Sequence, residues 1–166
     1  PIKTSKINQG QVDLGSYKHY MQKEIFEQPQ AIRDTLESRI TKDNVIVSAF
    51  GYKAPEIFKN IKQVQIIACG TSFNAGLVAK YWLEDIAKIP CNVEVASEYR
   101  YRNPLILDRT LFVTISQSGE TADTLQALKT AKEINNKIDT LCICNSAESS
   151  ITRESELTFL THAGPE

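Results

Sequence analysis

The sequence predicts an α/β fold: a three-layer, doubly wound, parallel five-stranded sheet in the order 2-1-3-4-5, with extra N-terminal helices. Three observations lead there. From residue 64 onward, short β-rich apolar runs alternate with stretches of helical spacing. The first and third of these runs each break into a turn dense in hydroxyls and glycine. Alternation at this pace means βαβ units with right-handed crossovers, which place helices on both faces of a parallel sheet.

Residues 1–18 are polar, contain Gly10 and Gly15 and show no sustained periodicity, so they read as a linker from something upstream. The missing initiator Met points the same way, to a piece of a longer chain. Ile25, Ile32, Leu36 and Ile40 fall on one face and predict a helix over residues 19–40, with Met21 packed in the core. Tyr17, Tyr20 and Phe26 are expected in the core or between subunits. Pro29 should kink that helix or split it in two. Residues 45–50 fit a short strand or a buried loop, and Pro55 is placed to open a short helix ending near residue 62. The N-terminal helices thus occupy residues 19–62 and the α/β core residues 63–166.

Within that core, strands are expected at residues 64–69, 91–96, 111–116, 140–145 and 157–161. Residues 73–88 and 121–135 read as helices, and 149–156 as a short helical or turn segment. Residues 97–108 read as an irregular connection, with the charged Glu98-Tyr-Arg-Tyr-Arg102 in it. That segment suits a lid over the site, a subunit contact or a solvated loop.

The informative stretch runs from Thr110 to Thr124. An apolar strand, Leu111 to Ile115, gives way to Ser116-Gln-Ser-Gly-Glu-Thr121, and helical spacing resumes at Leu125, Leu128 and Ala131. The first N–H groups of a helix have no intrahelical partner and carry the positive end of its dipole, so an anion is stabilised there. Ser116, Gln117, Ser118 and Thr121 add donors without adding charge. The turn therefore reads as a phosphate cradle; the competing reading is that Ser118 or Thr121 caps the helix. Glu120 and Asp123 complement the helix dipole more simply than they form an acid/base pair.

Ligands of open α/β sheets bind beyond the carboxyl ends of strands, where neighbouring strands send their connections to opposite faces. In the order 2-1-3-4-5 that point lies between the first and third strands. Gly70-Thr-Ser72 and Ser116–Thr121 would then line one crevice. The dinucleotide pattern Gly-x-Gly-x-x-Gly is absent, and Leu77 follows Gly76 where a P-loop needs Lys. A small monophosphate, such as a phosphorylated sugar whose hydroxyls meet Gln117, fits better than a nucleotide.

Composition removes other classes. A formal charge of −1 gives no electrostatic case for nucleic acid or an anionic membrane. No apolar run approaches a bilayer span, and no signal-peptide segment opens the chain. Cys142 and Cys144 form Cys-x-Cys, and with two His in the chain no metal site or other cofactor is expected. The four cysteines read as reduced, buried thiols of a cytoplasmic protein. His19 and His162 read as surface or packing residues.

Cys69-Gly-Thr-Ser72 followed by Ser116-Gln-Ser-Gly-Glu-Thr121 resembles the sugar isomerase (SIS) domain family. His19-Tyr-Met-Gln-Lys-Glu-Ile-Phe-Glu-Gln-Pro29, Ala96-Ser-Glu-Tyr-Arg-Tyr101 and Thr161-His-Ala-Gly164 are similar to the glucosamine-6-phosphate synthase branch of it. That branch makes glucosamine 6-phosphate from fructose 6-phosphate and glutamine. The resemblance implies that Thr71, Ser72, Ser116, Gln117, Ser118 and Thr121 bind a sugar phosphate, Ser118 and Thr121 taking the phosphate. It also implies a homodimer, a glutaminase domain upstream and a second SIS half downstream, the latter carrying the catalytic Glu, Lys and His. None of those has a counterpart here, and Pro165 stands where that family has a small polar residue. Two alternatives stay open at this point: a stand-alone sugar-phosphate sensor, and a self-contained phosphosugar isomerase using Glu98 or Glu120 as base.

Overall fold

The computed structural model describes residues 13–164. Most of the expected linker, residues 1–12, and Pro165 lie outside the described residues. The described chain runs α1 (Tyr20–Leu36), a 3-10 turn (Val47–Phe50), α2 (Ala54–Asn60), β1 (Gln63–Ala68), α3 (Gly70–Asp85) and β2 (Cys91–Val95). It continues through α4 (Ala96–Tyr99), β3 (Thr110–Ser116), α5 (Ala122–Ile134), β4 (Asp139–Cys144), α6 (Ser150–Glu154) and β5 (Leu157–Leu160).

The five strands form one parallel sheet, as the alternation of elements predicts, in the expected order β2-β1-β3-β4-β5. Strand side chains alternate between two apolar layers. Val64, Ile66, Leu111, Val113 and Leu141 face a layer shared with Ala54 and Ile57 of α2 and with Ala79 and Leu83 of α3. Ile67, Phe112, Cys142 and Cys144 face the other, shared with Ala96 and Tyr99 of α4, Ala127, Leu128 and Ala131 of α5, and Ile151 of α6. Strands β1 and β3 are neighbours whose following helices, α3 and α5, lie on opposite faces. The switch point therefore stands at their carboxyl ends.

Gly76 lets α3 approach the sheet closely: a Cβ there would meet Ile66 Cγ2 and Val93 Cγ1, both at 3.1 Å. At the N-terminal end, the stretch left open between strand and buried loop is neither. Val45 makes an isolated antiparallel bridge to Ile40, and Val47–Phe50 is a 3-10 turn. Phe50 packs on Phe58 (5.3 Å between centroids) and Phe159 (4.7 Å), while the Arg39 guanidinium lies 4.5 Å above Phe159. Pro55 lies in the first turn of α2, which begins one residue earlier than expected.

Four expectations are corrected. Of the two outcomes expected at Pro29, the split does not occur: α1 is continuous across it. Proline removes one backbone donor, and on an exposed helix water satisfies the carbonyl left over, so the break is avoidable. Met21 is not in the core, being 73% exposed, and Ile25, Ile32, Tyr20 and Phe26 are exposed as well. Their spacing gives a genuine amphipathic stripe that stays exposed among the described residues, although Tyr17 stacks on Phe26 at 5.9 Å between centroids. Residues 97–108 are not wholly irregular: α4 starts them, and Tyr99 is buried edge-on against Phe112, 5.5 Å between centroids. Finally, Cys91, Cys142 and Cys144 are buried free thiols, whereas Cys69 is only half-buried.

The thiols give a direct check. Burial pushes the Cys91 thiol up to about 11 and raises that of Cys142, while Cys69 stands at the solvent-facing start of α3. Since the thiolate is the reacting form, a native sample treated with a thiol reagent near neutral pH should lose Cys69 first. The other three should react only on unfolding. Fast reaction at Cys142 or Cys144 would contradict the packing of the α5 face.

Candidate phosphate-binding crevice

Strand β3 ends at Ser116, and the Ser116 hydroxyl organises the turn that follows. It accepts a hydrogen bond from the Gly119 N–H (3.1 Å) and lies 3.1 Å from Thr121 Oγ1. Ser118 Oγ accepts from the Glu120 N–H at 3.2 Å. Thr121 occupies the residue before α5, yet its side chain makes no capping bond to the helix. The cap alternative for Ser118 or Thr121 therefore does not hold. Among the described residues, the N–H groups of the first turn of α5 have no side-chain acceptor.

The turn after β1 is built differently. Gly70 is the first residue of α3 and not part of a separate turn, with φ +55°, in the left-handed region that favours glycine. A Cβ at that position would meet nothing within 4 Å, so the space beside it is open. The first amide of this region to find a carbonyl is that of Phe73, bonded to Cys69 O at 3.2 Å. The side chains of Thr71 (exposed) and Ser72 (half-buried) have no hydrogen-bond partner among the described residues. Ala68 pairs with Ile115 across the two strands, so Cys69 and Ser116 leave the sheet from neighbouring positions. The topology thus brings both hydroxyl-rich segments, with Thr71, Ser72, Ser116, Gln117, Ser118 and Thr121, to one end of the sheet. Two helix N-termini open there from opposite faces.

Residue-by-residue reading missed what holds the Ser116–Thr121 turn in place. Gly119 has φ +67°, and its Cα is pressed against the chain after β4: a Cβ would lie 2.1 Å from Ser149 Oγ and 2.7 Å from Cys144 Sγ. Gly119 O accepts from the Ile151 N–H (3.1 Å), and Gln117 O accepts from the Asn145 N–H (3.0 Å). Glu120 Oε1 accepts from the Ser150 N–H at 2.7 Å, at the start of α6. The one signal available in sequence was Gly119 itself.

Neither acidic neighbour is free to act as a base. Hydrogen bonds from Ser150 hold the Glu120 carboxyl below the usual carboxylate range, the opposite of what a general base near neutrality needs. Asp123 pairs with Arg100 at 2.5 Å, and Arg102 grips Glu94 through two nitrogens. Arg100 and Arg102 thereby tie the 98–102 segment to α5 and β2, with Tyr99 buried beneath it, while Glu98 and Tyr101 stay exposed. The Arg100 guanidinium is held still more firmly charged by its bond to Asp123.

The Glu120 contact has a pH signature. A carboxyl whose folded value is depressed contributes its stabilising contact above its unfolded value, and loses it as pH falls through the folded one. The Ser150 amide resonance should therefore titrate with a midpoint below 4.5, and the shift should vanish in Glu120→Ala. A midpoint at or above 4.5 would show that the carboxylate does not hold the start of α6.

A family model for the SIS domain matches residues 57–166. Over 154 residues the chain is 59% identical to a glutamine–fructose-6-phosphate aminotransferase (isomerizing) of Pseudomonas putida. That alignment takes in 93% of this chain and 25% of the relative, so the chain spans about a quarter of the length of such curated proteins. Among solved structures, the C-terminal domain of glucosamine-fructose-6-phosphate aminotransferase from Francisella tularensis superposes with a TM-score of 0.88 at 48% identity. The superposition covers 93% of this chain and 43% of that one. Tagatose-6-phosphate ketose/aldose isomerase from Escherichia coli shares the fold alone, with a TM-score of 0.66 at 16% identity over 88% of this chain and 41% of that one. The family match, the sheet order and the two hydroxyl-rich segments agree: the chain belongs to the SIS domain family.

Proposed function

We propose that this chain binds fructose 6-phosphate as the first SIS half of the isomerase region of a glutamine–fructose-6-phosphate aminotransferase. The observation that carries this reading is the pair of uncapped helix N-termini, α3 and α5, opening at the switch point with unpartnered or turn-shaping hydroxyls around them. Main-chain N–H groups and neutral hydroxyls hold a phosphate dianion through charge-assisted hydrogen bonds, without adding a fixed cation. Ser118 and Thr121, with the amides of their turn, take the phosphate. Ser116 sets the turn's shape, and Thr71, Ser72 and Gln117 reach the sugar hydroxyls.

In this reading residues 1–18 lead in from a glutaminase domain, and residues 19–166 form the sugar-phosphate unit. The chemistry of isomerisation and amino transfer belongs to a second SIS half beyond residue 166. Stripes of exposed apolar side chains on α1 and on α3, where Tyr81 and Trp82 are 71% and 64% exposed, suit contacts with that half and with a second copy in a homodimer. The engagement of Glu120 by the Ser150 N–H disfavours a self-contained isomerase that uses Glu120 as its base. Glu98, the other base considered, is exposed on α4, and isomerase activity abolished by Glu98→Gln would favour that alternative.

Amide NMR with fructose 6-phosphate, and with fructose as control, tests the assignment. The Gly70–Ser72 and Gln117–Thr121 amides should shift saturably with the phosphorylated sugar alone. Thr121→Ala should weaken binding about tenfold, the usual size of one hydrogen bond to a charged group. Shifts elsewhere in the molecule, with these segments unmoved, would place the ligand somewhere else.

A further inference from the structure

We infer that Asn145 is a positioning residue that ties the cradle turn to the chain's exit segment, so that the sugar-facing side of the site is set by residues 161–164. This rests on the reading of Ser116–Thr121 as a sugar-phosphate cradle. Asn145 is the first residue beyond β4, half-buried, and all of its side-chain polar atoms are engaged. Its N–H donates to Gln117 O at 3.0 Å, in the middle of the cradle. Its side chain turns the other way. Nδ2 donates to Gly164 O at 2.6 Å, and Oδ1 accepts from the Ala163 N–H at 2.9 Å and from Thr161 Oγ1 at 3.1 Å.

One residue therefore holds the cradle with its backbone and the exit segment with its amide. The neighbouring Cys144 makes a weaker parallel tie: its O accepts from the Thr161 N–H at 2.8 Å, and its Sγ lies 3.6 Å from Gln117 O, but its side chain makes no bond to residues 161–164. Farther on, the His162 N–H donates to Thr35 Oγ1 (2.9 Å), its Nδ1 lies 3.0 Å from Asp34 O, and its Nε2 lies 3.1 Å from Arg39 Nη2. The exit segment is thus anchored at α1 on one side and at Asn145 on the other. Gln117, proposed to meet the sugar, inherits its position from that frame. Ser118 and Thr121 are held instead through Ser116 and Glu120.

This separates two parts of the site. Asn145→Ala should release residues 161–164 and loosen Gln117, while the phosphate-holding hydroxyls keep their own supports. Fructose 6-phosphate affinity should fall about tenfold in Asn145→Ala, with inorganic phosphate affinity within about twofold of the parent. Asn145→Asp retains the acceptor and loses the donor, and should fall between. A general loosening of the fold would lower both affinities together, so an unchanged ratio in a folded variant overturns the inference.

Amide hydrogen exchange provides a ligand-free arm. In Asn145→Ala, the amide of residue 145, whose bond ends on Gln117 O, and the amides of residues 161–164 should exchange faster together, with the α3 amides unchanged. If only 161–164 accelerates, the tie to the cradle is refuted even where neither ligand binds. If the parent chain binds neither ligand but the exchange coupling holds, the cradle reading fails and the tie stands.

Discussion

Phe112→Ala is expected to cost about 3–5 kcal/mol of stability, the range for deleting a fully buried aromatic ring. Phe112 is completely buried at the centre of β3, in the layer closed by α4, α5 and α6, and it meets Tyr99 edge-on. Strand β3 is paired on both sides, so the sheet cannot shift to fill the hole without disturbing β1 and β4. Urea unfolding measures the loss as a lower midpoint at unchanged slope. A loss below about 1.5 kcal/mol would mean that α5 collapses into the space, and hence that this layer is looser than its burial indicates. Tyr99→Phe is the contrast. The Tyr99 hydroxyl has no hydrogen-bond partner among the described residues, and burial pushes its titration up to about 12. Removing an unsatisfied buried hydroxyl relieves a desolvation cost, so stability should stay level or rise by up to about 1 kcal/mol.

Gly119→Ala should cost about 2–4 kcal/mol, from two separate causes. Its φ of +67° is strained for any residue with a Cβ, and that Cβ would sit on Ser149 and Cys144. Because Gly119 O takes one of the two bonds that clamp the turn to α6, the other being made by Glu120, the variant should also lose phosphate binding where it remains folded. Gly70→Ala separates the two causes. Its φ of +55° brings the backbone strain, but no atom lies within 4 Å of the new methyl. Its stability cost should be about 1–2 kcal/mol, while the methyl intrudes where the sugar phosphate is proposed to lie. Equal stability losses in the two variants would show that the contact with Ser149 is not a tight one.

The sheet was legible because each of its signals is local. Apolar runs, the hydroxyl turns and the helical spacing at Leu125, Leu128 and Ala131 all state their own element; the common doubly wound order 2-1-3-4-5, once taken, then gives the site's end of the sheet. The N-terminal segment was less legible for the same reason. The stripe Ile25, Ile32, Ile40 states that a face is apolar but not what covers it, and in this chain it is exposed. Pro29 is a local stop signal that an exposed helix overrides. In the site, residue types located the hydroxyls but not their duties. That Ser116 shapes the turn, that Glu120 holds α6, and that Asn145 joins the cradle to residues 161–164 depend on contacts between elements distant in sequence.

Calorimetric titration of the chain with fructose 6-phosphate, against fructose and inorganic phosphate, tests the binding assignment most directly. Saturable binding that requires the phosphate group and falls about tenfold in both Ser118→Ala and Thr121→Ala is the predicted result. Absence of saturable binding to the folded chain, or binding that both substitutions leave intact, would contradict the cradle at Ser116–Thr121.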